Sequence, residues 1–296
     1  MKQLAIYKYE DVQLKVDVER VEFLKHKQLT DLQSVSSGFC ELYEDVYVQN
    51  DVDGFTMLKI RQSKRSEPKP DTVEREFLRK QQKMTKDGLE VDLDVLLEEV
   101  NTELLRVQDI KTKDILVVID HEKELVYVDA PRTLAEDVLY LVHDVLVEDV
   151  AFEVVMPEQA VMQKLLTKYL KDSVSIPEPM ILGYHVEMGY PTQVGKKAKS
   201  SNVIVKGEDI DTDEVEKHLT SGKVVNKLEL DNDAVVYFKV DNTMFISGIK
   251  FEEALKYKED DDITASLNHL SEWQLKLPEI SKLVSILIEE QELVEL

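Results

Sequence analysis

The sequence predicts an α+β fold with antiparallel sheets, and three observations support this class. Three strand-like segments follow one another, Lys223–Leu230, Ala234–Val240 and Thr243–Lys250, and short Asp/Asn turns between them indicate a meander. Elsewhere apolar residues recur at intervals of three and four, which is typical of amphipathic helices. With 296 residues, of which 43% are hydrophobic, the chain can bury a large core.

The first seventy residues alternate between strand and helix signals. Gln3–Lys8 alternates like a short strand, and Val12–Lys27 has the charged, apolar-spaced pattern of a helix. Phe55–Arg61 is strand-like and follows a turn signal. The polar stretch Arg61–Pro70 predicts a loop because of its composition and its prolines.

The next segment predicts a pair of helices. Asp71 is a suitable N-cap for a helix reaching about Met84, and a second helix is expected over Asp92–Val107. Only a short polar loop separates them, so the two helices are expected to form a projecting helical hairpin.

The rest of the chain mixes strands and helices. Strands are expected at Ile115–Ile119 and Leu125–Val128, and Thr133 with Glu136 has the spacing of a capping box for a helix reaching about Leu146. Further along we expect a strand at Val150–Val155, a helix from Pro157 to Leu170, strands at Tyr184–Met188 and Asn202–Val205, a short helix from Thr212, and a C-terminal helix over Ile280–Leu293.

These signals divide the chain into four regions. Residues 1–60 are the N-terminal part of a central α+β region, and residues 61–110 form the helical finger. Residues 111–175 complete the central region, and residues 176–296 form a C-terminal α+β region with the meander and the last helix.

Charge is the property that most restricts function. The net charge is −23, so the chain as a whole should be repelled by nucleic acid. Between Lys59 and Lys86, however, ten basic residues stand against four acidic ones. On the predicted helix Arg75, Arg79 and Lys83 recur every four residues, which places them on one face.

A second basic run contains Lys196, Lys197, Lys199 and Lys206, with no acidic residue between Gly195 and Lys206. Neither run is interleaved with the aromatic side chains that a single-strand stacking surface needs. Each run is also compatible with an ordinary solvated face or loop.

Motifs for nucleotide chemistry or covalent catalysis are absent from the sequence, which contains no phosphate-binding glycine loop and no G-x-S-x-G. The single cysteine, Cys40, excludes an internal disulfide and a cysteine-based zinc site. The run Glu259–Asp262 is interpreted as a solvated loop. We therefore expect no catalytic residues, no metal, no cofactor, no membrane partner and a cytoplasmic location.

One segment resembles a known family. Lys206–Ile210, a short helix and then Gly222–Asp231 are similar to the RdgC pattern of a helix leading into G-K-V-V-x-K-L-x-L-D. In the same order along the chain, Lys2–Tyr7, Val118–Asp120 and Ile249–Phe251 resemble the start, the central hairpin and the ending of that family.

The resemblance implies an elongated subunit with a helical finger that closes with a second copy into a ring-shaped homodimer. Such rings surround double-stranded DNA without sequence preference and restrain a RecA-type recombinase. It implies a nucleoid-associated DNA-binding protein and not an enzyme. The candidate DNA contacts are Lys64, Arg65, Arg75, Arg79, Lys83, Lys196, Lys197, Lys199, Lys206, Lys223 and Lys227.

Two positions depart from the family pattern. A Lys-Gln pair of the family is replaced by Gly207-Glu208, and an aromatic residue at the end of the finger has no counterpart around Val107–Ile110. These departures indicate a divergent member, for which a phage origin is one interpretation. Two alternatives stay open: an acidic interaction protein or DNA mimic that binds a basic partner, and a Mg²⁺-dependent exonuclease.

Overall fold

The fold was obtained as a computed structural model, which describes the chain except residues 1–2, 11, 32, 89–91, 192–201, 208–209, 211–212, 233–235, 252–261 and 296. At 262–275 and 295 it describes the backbone alone. The chain divides into two compact units. Unit 1 comprises Met1–Asp17, Glu41–Leu58 and Leu116–Leu296, and unit 2 comprises Val18–Cys40 and Lys59–Ile115.

The class is α+β with antiparallel sheet, as predicted. The strands are β1 (Gln3–Lys8), β2 (Val35–Cys40), β3 (Val48–Val52), β4 (Phe55–Arg65), β5 (Ile110–Asp120), β6 (Leu125–Val128), β7 (Glu153–Val154), β8 (Met180–Gly189), β9 (Val203–Lys206), β10 (Val224–Asn232), β11 (Val236–Asp241) and β12 (Ile246–Phe251). The helices are α1 (Val18–Phe23), α2 (Pro70–Lys86), α3 (Leu93–Arg106), α4 (Arg132–His143), α5 (Gln159–Lys171), α6 (Asp213–Thr220) and α7 (Asp262–Glu295), with a 3₁₀ turn at Ser173–Ser175.

Unit 1 is organised around a sheet with the strand order β5-β6-β1-β12-β11-β10-β8-β9. The predicted meander is confirmed, since β10 pairs with β11 and β11 with β12, both antiparallel. The N-terminal strand joins distant parts of the chain: Leu4 pairs with Ile246 of β12, and Ala5 pairs with Val128 of β6.

The core of unit 1 is a single cluster of buried apolar side chains. It includes Leu4 and Ile6 of β1, Leu165 of α5, Leu228 of β10 and Val284 of α7, each at most 2% exposed. Helices α5 and α7 supply apolar residues at intervals of three and four, so each buries one face. No helix in the described part of the chain is long and apolar enough to cross a membrane.

Unit 2 contains α1, β2, α2, α3 and the parts of β4 and β5 that lie within its two segments. In it β2 pairs antiparallel with β4, from Val35 opposite Lys64 to Cys40 opposite Lys59. The predicted loop over Arg61–Pro70 is therefore wrong in its first half. Pairing with β2 continues the strand to Arg65, and the polar side chains belong to a strand.

Other boundaries also differ from the prediction. The helix expected over Val12–Lys27 is only α1, because Val16 instead forms a β-bridge with Leu146. Strand β7 is shorter than the predicted Val150–Val155. The expected capping box of Thr133 and Glu136 is wrong, since Pro131 is the N-cap of α4 and makes no side-chain cap hydrogen bond.

Candidate nucleic-acid interface

Among the described residues, helix α2 carries most of the exposed candidate cations. Pro70 occupies its first turn, where the missing N–H costs nothing, and Asp71 favours the positive end of the helix dipole. The N-cap is Lys69 and not the predicted Asp71. The helix ends before Gly88, whose φ of +70° is a conformation that glycine adopts without strain.

One face of α2 packs on α3 in unit 2, so the predicted helical hairpin is confirmed. Its polar contact is Lys80, whose Nζ lies 3.0 Å from Glu99 Oε1 and 2.7 Å from Glu103 Oε1. The hydrogen bond to Glu103 is the main cause of a raised pKa of Lys80. Lys80 therefore stabilises the hairpin and is withdrawn from any ligand.

The opposite face of α2 presents its cations to solvent. Arg75, Arg79 and Lys83 are exposed, as the four-residue spacing predicts. Arg79 forms a surface ion pair with Glu76, with 2.8 Å between Nε and Oε2. Exposed pairs of this kind contribute about 0–1 kcal/mol, so a phosphate can replace the carboxylate at little cost.

Further exposed cations of unit 2 lie on β4 and at the end of α2. Lys64 is exposed near the end of β4, and Lys86 is exposed in the last turn of α2. Within the described part of unit 2, the side chains of Lys64, Arg75, Lys83 and Lys86 make no ion pair. Their charge is available for a polyanion.

Two cations of the basic run have structural roles. Arg65 is 4% exposed, and its guanidinium donates hydrogen bonds to the backbone oxygens of Asp31 at 2.9 Å and Thr30 at 3.3 Å. Arg61 donates two hydrogen bonds to the carboxylate of Asp114, at 2.7 and 2.8 Å, which lower the pKa of Asp114. Arg65 is therefore dropped from the candidate DNA contacts.

The candidates of unit 1 are less favourable. Lys223 is 7% exposed, and its Nζ lies 3.4 Å from His218 Nδ1 and 5.8 Å from the centre of the Tyr190 ring. A buried ammonium held by a ring and an imidazole cannot reach a phosphate without leaving its site, so Lys223 is also dropped. Lys196, Lys197 and Lys199 lie outside the described residues.

Lys206 and Lys227 lie on a sheet face where charges of both signs alternate. Lys227 stands opposite Glu187 of β8 on one side and Asp241 of β11 on the other. Lys206 stands opposite His185, whose ring is hydrogen-bonded to Glu187 at 3.0 Å. This face does not concentrate positive charge as α2 does.

Sequence reasoning missed a second row of cations. Lys164, Lys168 and Lys171 lie on α5 at i, i+4 and i+7, and all three are exposed. The signal is a helical spacing of four and then three residues. A charge count did not reveal it, because acidic residues flank the row in the sequence. The row provides a matched comparison for α2.

Asp120 is a buried carboxylate with a structural role in a turn. It is 1% exposed and its Oδ1 accepts hydrogen bonds from the backbone N–H groups of Glu122 and Lys123. Among the residues whose side chains are described, no group of three His, Cys, Asp or Glu side chains could hold a metal ion.

A comparison with protein families matches residues 1–292 to the family described as "Putative exonuclease, RdgC". Curated relatives named "Recombination-associated protein RdgC" occur in Xanthomonas oryzae pv. oryzae and Xanthomonas axonopodis pv. citri. Each is 32% identical over 116 residues, which is 38% of this chain. The matched segment spans only 36% of the length of these relatives. Because the family match extends over nearly all of the sequence, the chain belongs to the RdgC family.

Proposed function

We propose that this chain binds double-stranded DNA without sequence preference and acts in homologous recombination by restraining a RecA-type recombinase. The observation that carries the DNA-binding part is the outer face of α2, where Arg75, Arg79 and Lys83 form an exposed row within a chain of net charge −23. Lysine and arginine contact phosphates irrespective of the base, so a row of this kind suits binding without sequence preference.

The name of the relatives supports a role of this DNA binding in recombination. They are called recombination-associated proteins, and the proposal extends that printed role to this chain. Restraint of a recombinase follows from occupancy, because a protein coating duplex DNA competes with a recombinase for the same polyanion.

Self-association into a ring-shaped homodimer is part of the same proposal. On the hairpin Leu78, Leu93, Val95 and Leu97 are large apolar side chains that are 42–60% exposed. Several such side chains on one small element are typical of an interaction surface. A second copy covering them would bring two basic α2 helices into one particle. Light scattering on the purified chain should then give twice the 34.1 kDa of one chain.

The test is duplex binding by the chain and by Arg75→Gln/Arg79→Gln/Lys83→Gln, measured by fluorescence anisotropy with two unrelated 30-base-pair sequences. We expect both sequences to bind alike. At about 50 mM salt, the triple variant should bind on the order of 100-fold more weakly. Its slope of log affinity against log salt should be smaller by about 2.7, since each neutralised phosphate contributes about 0.9.

The matched control is Lys164→Gln/Lys168→Gln/Lys171→Gln, which removes three exposed charges from α5. It changes the net charge equally, so an equal loss of affinity in both variants would overturn the assignment to α2. Absence of duplex binding by the unaltered chain at this salt would overturn the DNA-binding function itself.

The same samples separate the two alternatives. An acidic interaction protein would bind a basic partner with no competition from duplex DNA. An exonuclease would shorten end-labelled duplex in the presence of Mg²⁺ or Mn²⁺, whereas the proposal expects the label to stay in full-length strands over several hours.

A further inference from the structure

A cleft of about 590 Å³ lies in unit 1, and none of the residues assigned to DNA lines it. Its walls come from the end of β1, the β5–β6 turn, the segment before α5 and the last turns of α7. This volume is in the range of small-molecule sites, which is about 300–1,000 Å³.

The rim of the cleft is acidic. It carries Glu124, Glu158, Glu289 and Glu292, all exposed, against the single ammonium of Lys123. The charge of a second lysine in the wall, Lys8, is already balanced by two ion pairs. Its Nζ lies 3.2 Å from the carboxylate of Glu153 and 3.6 Å from that of Glu10, and the pKa of Lys8 is raised mainly by the hydrogen bond to Glu153.

The carboxylates are spread around the rim and do not converge. Among the residues whose side chains are described, no three acidic or histidine side chains stand close enough to hold one metal ion. A compact divalent cation needs several oxygen ligands within about 2.0–2.6 Å, so it does not suit this arrangement. A ligand with several separated positive charges suits it better.

The inner wall is apolar. Leu125, which is 5% exposed, lines the cleft together with the partly buried Val155 and Ile288. Such a surface binds methylene groups, whose burial contributes about 0.8 kcal/mol each. A rim of carboxylates above an apolar wall therefore matches an aliphatic chain that carries ammonium groups.

Gln291 gives an independent indication of the ligand. It lines the cleft, is 9% exposed, and its Oε1 has no hydrogen-bond partner in the structure. A buried carbonyl oxygen without a donor is unfavourable, and each such group calls for an explanation. Because this oxygen is itself buried, a donor from the cleft reaches it once the side-chain amide turns toward the cleft, and an ammonium group is such a donor.

We propose that this cleft binds a linear aliphatic oligoamine, with its methylene groups on the apolar wall and its ammonium groups at the glutamates. One ammonium donates to Oε1 of Gln291. The site is independent of the proposed DNA-binding function, because it uses none of the cations of α2.

The experiment is isothermal titration calorimetry of the full chain in DNA-free buffer at about 50 mM salt, with spermidine as the probe. We expect one spermidine per chain. Gln291→Leu keeps the size of the side chain and removes the acceptor, and should weaken binding at least 10-fold without lowering the melting temperature. Glu289→Gln/Glu292→Gln should weaken it by a similar factor. The control Glu214→Gln/Glu216→Gln, on α6 outside the cleft, should leave it unchanged.

Three results would overturn the proposal. Equal heats with Mg²⁺ at equal charge would mean that the signal is general screening of an acidic protein. Binding of oligolysine without binding of spermidine would assign the cleft to a basic peptide. Loss of spermidine binding in the α6 control as large as in Gln291→Leu would remove the cleft from consideration.

Discussion

At the scale of single residues, the buried carboxylate of Asp120 accepts four hydrogen bonds. Besides the two backbone N–H groups at its turn, its Oδ2 accepts hydrogen bonds from the hydroxyls of Ser281 and Tyr127. Burial is the main cause of the raised pKa of Tyr127, followed by the charge of Asp120. The carboxylate thus connects the β5–β6 turn to α7.

Removing that carboxylate should destabilise the protein strongly. Asp120→Ala leaves several buried donors without an acceptor, each costing about 1–3 kcal/mol, so we expect a loss of about 3 kcal/mol in the free energy of unfolding. Ser281→Ala removes one hydrogen bond and should cost about 1 kcal/mol. Urea denaturation measures both. The control is Asp149→Ala, whose side chain is 98% exposed. An equal effect in Asp149→Ala and Asp120→Ala would contradict the assigned role.

At the scale of elements, β2 and the chain after α1 approach unusually closely in unit 2. Phe39 N–H donates to the oxygen of Leu24, and His26 N–H donates to the oxygen of Phe39. Gly38 precedes Phe39, and a Cβ atom there would stand 2.6 Å from the backbone nitrogen of His26. Only glycine permits this contact between two backbones.

Gly38→Ala should therefore separate β2 from the preceding segment. Because the obstacle is backbone, relief requires a shift of the strand, and we expect a loss of about 1–3 kcal/mol in unfolding free energy. Chemical denaturation is the measurement. Ser37→Ala, at an exposed position of the same strand, should stay within about 0.5 kcal/mol of the unaltered chain. A Gly38→Ala protein as stable as the Ser37→Ala protein would refute the close-contact argument.

The elements also show what sequence patterns can and cannot specify. The extents of β1 and β6 were predicted to the residue, because alternation and short apolar runs are local properties. The extension of β4 to Arg65 was not, since it depends on pairing with β2, which is a contact between distant segments. The capping pattern at Thr133 was misleading because α4 already begins at Arg132, with Pro131 as its N-cap.

The candidate site also contains residues whose position the sequence predicts and residues whose position it does not. The outward row of α2 follows from the helical period, so Arg75, Arg79 and Lys83 were predictable. The burial of Arg65 and Lys223 was not, because a basic residue in a basic run gives no local sign that its partner is a backbone oxygen or a ring. The four glutamates of the cleft's rim come from three separated parts of the chain, so no sequence window contains them.

At the scale of the whole molecule, two histidines link stability to pH. Burial is the main cause of a lowered pKa of both His26 in unit 2 and His185 in unit 1. The unfolded chain therefore takes up protons near the ordinary histidine pKa of about 6.5, where the folded chain does not yet do so. The stability due to these neutral rings is full above that pH and is lost as the pH falls below it.

Urea midpoints at pH 7.5 and 5.5 should show this loss, with a dependence of at most about 1.4 kcal/mol per pH unit for each histidine. His185→Gln should reduce the difference between the two pH values. Ser37→Ala, which changes no titratable group at an exposed position, should leave it as in the unaltered chain. A difference that does not change in His185→Gln would exclude this residue as a source.

The pairing of β1 with β12 has a consequence for biosynthesis. Residues 3 and 4 pair with residues 247 and 246, so β1 must wait until β12 has been synthesised. Contacts this distant in sequence close slowly, because the loop entropy is lost before the pairing is gained. No nascent fragment that ends before β12 can complete this sheet. Its exposed strand edges would meanwhile be open to chaperones or to aggregation.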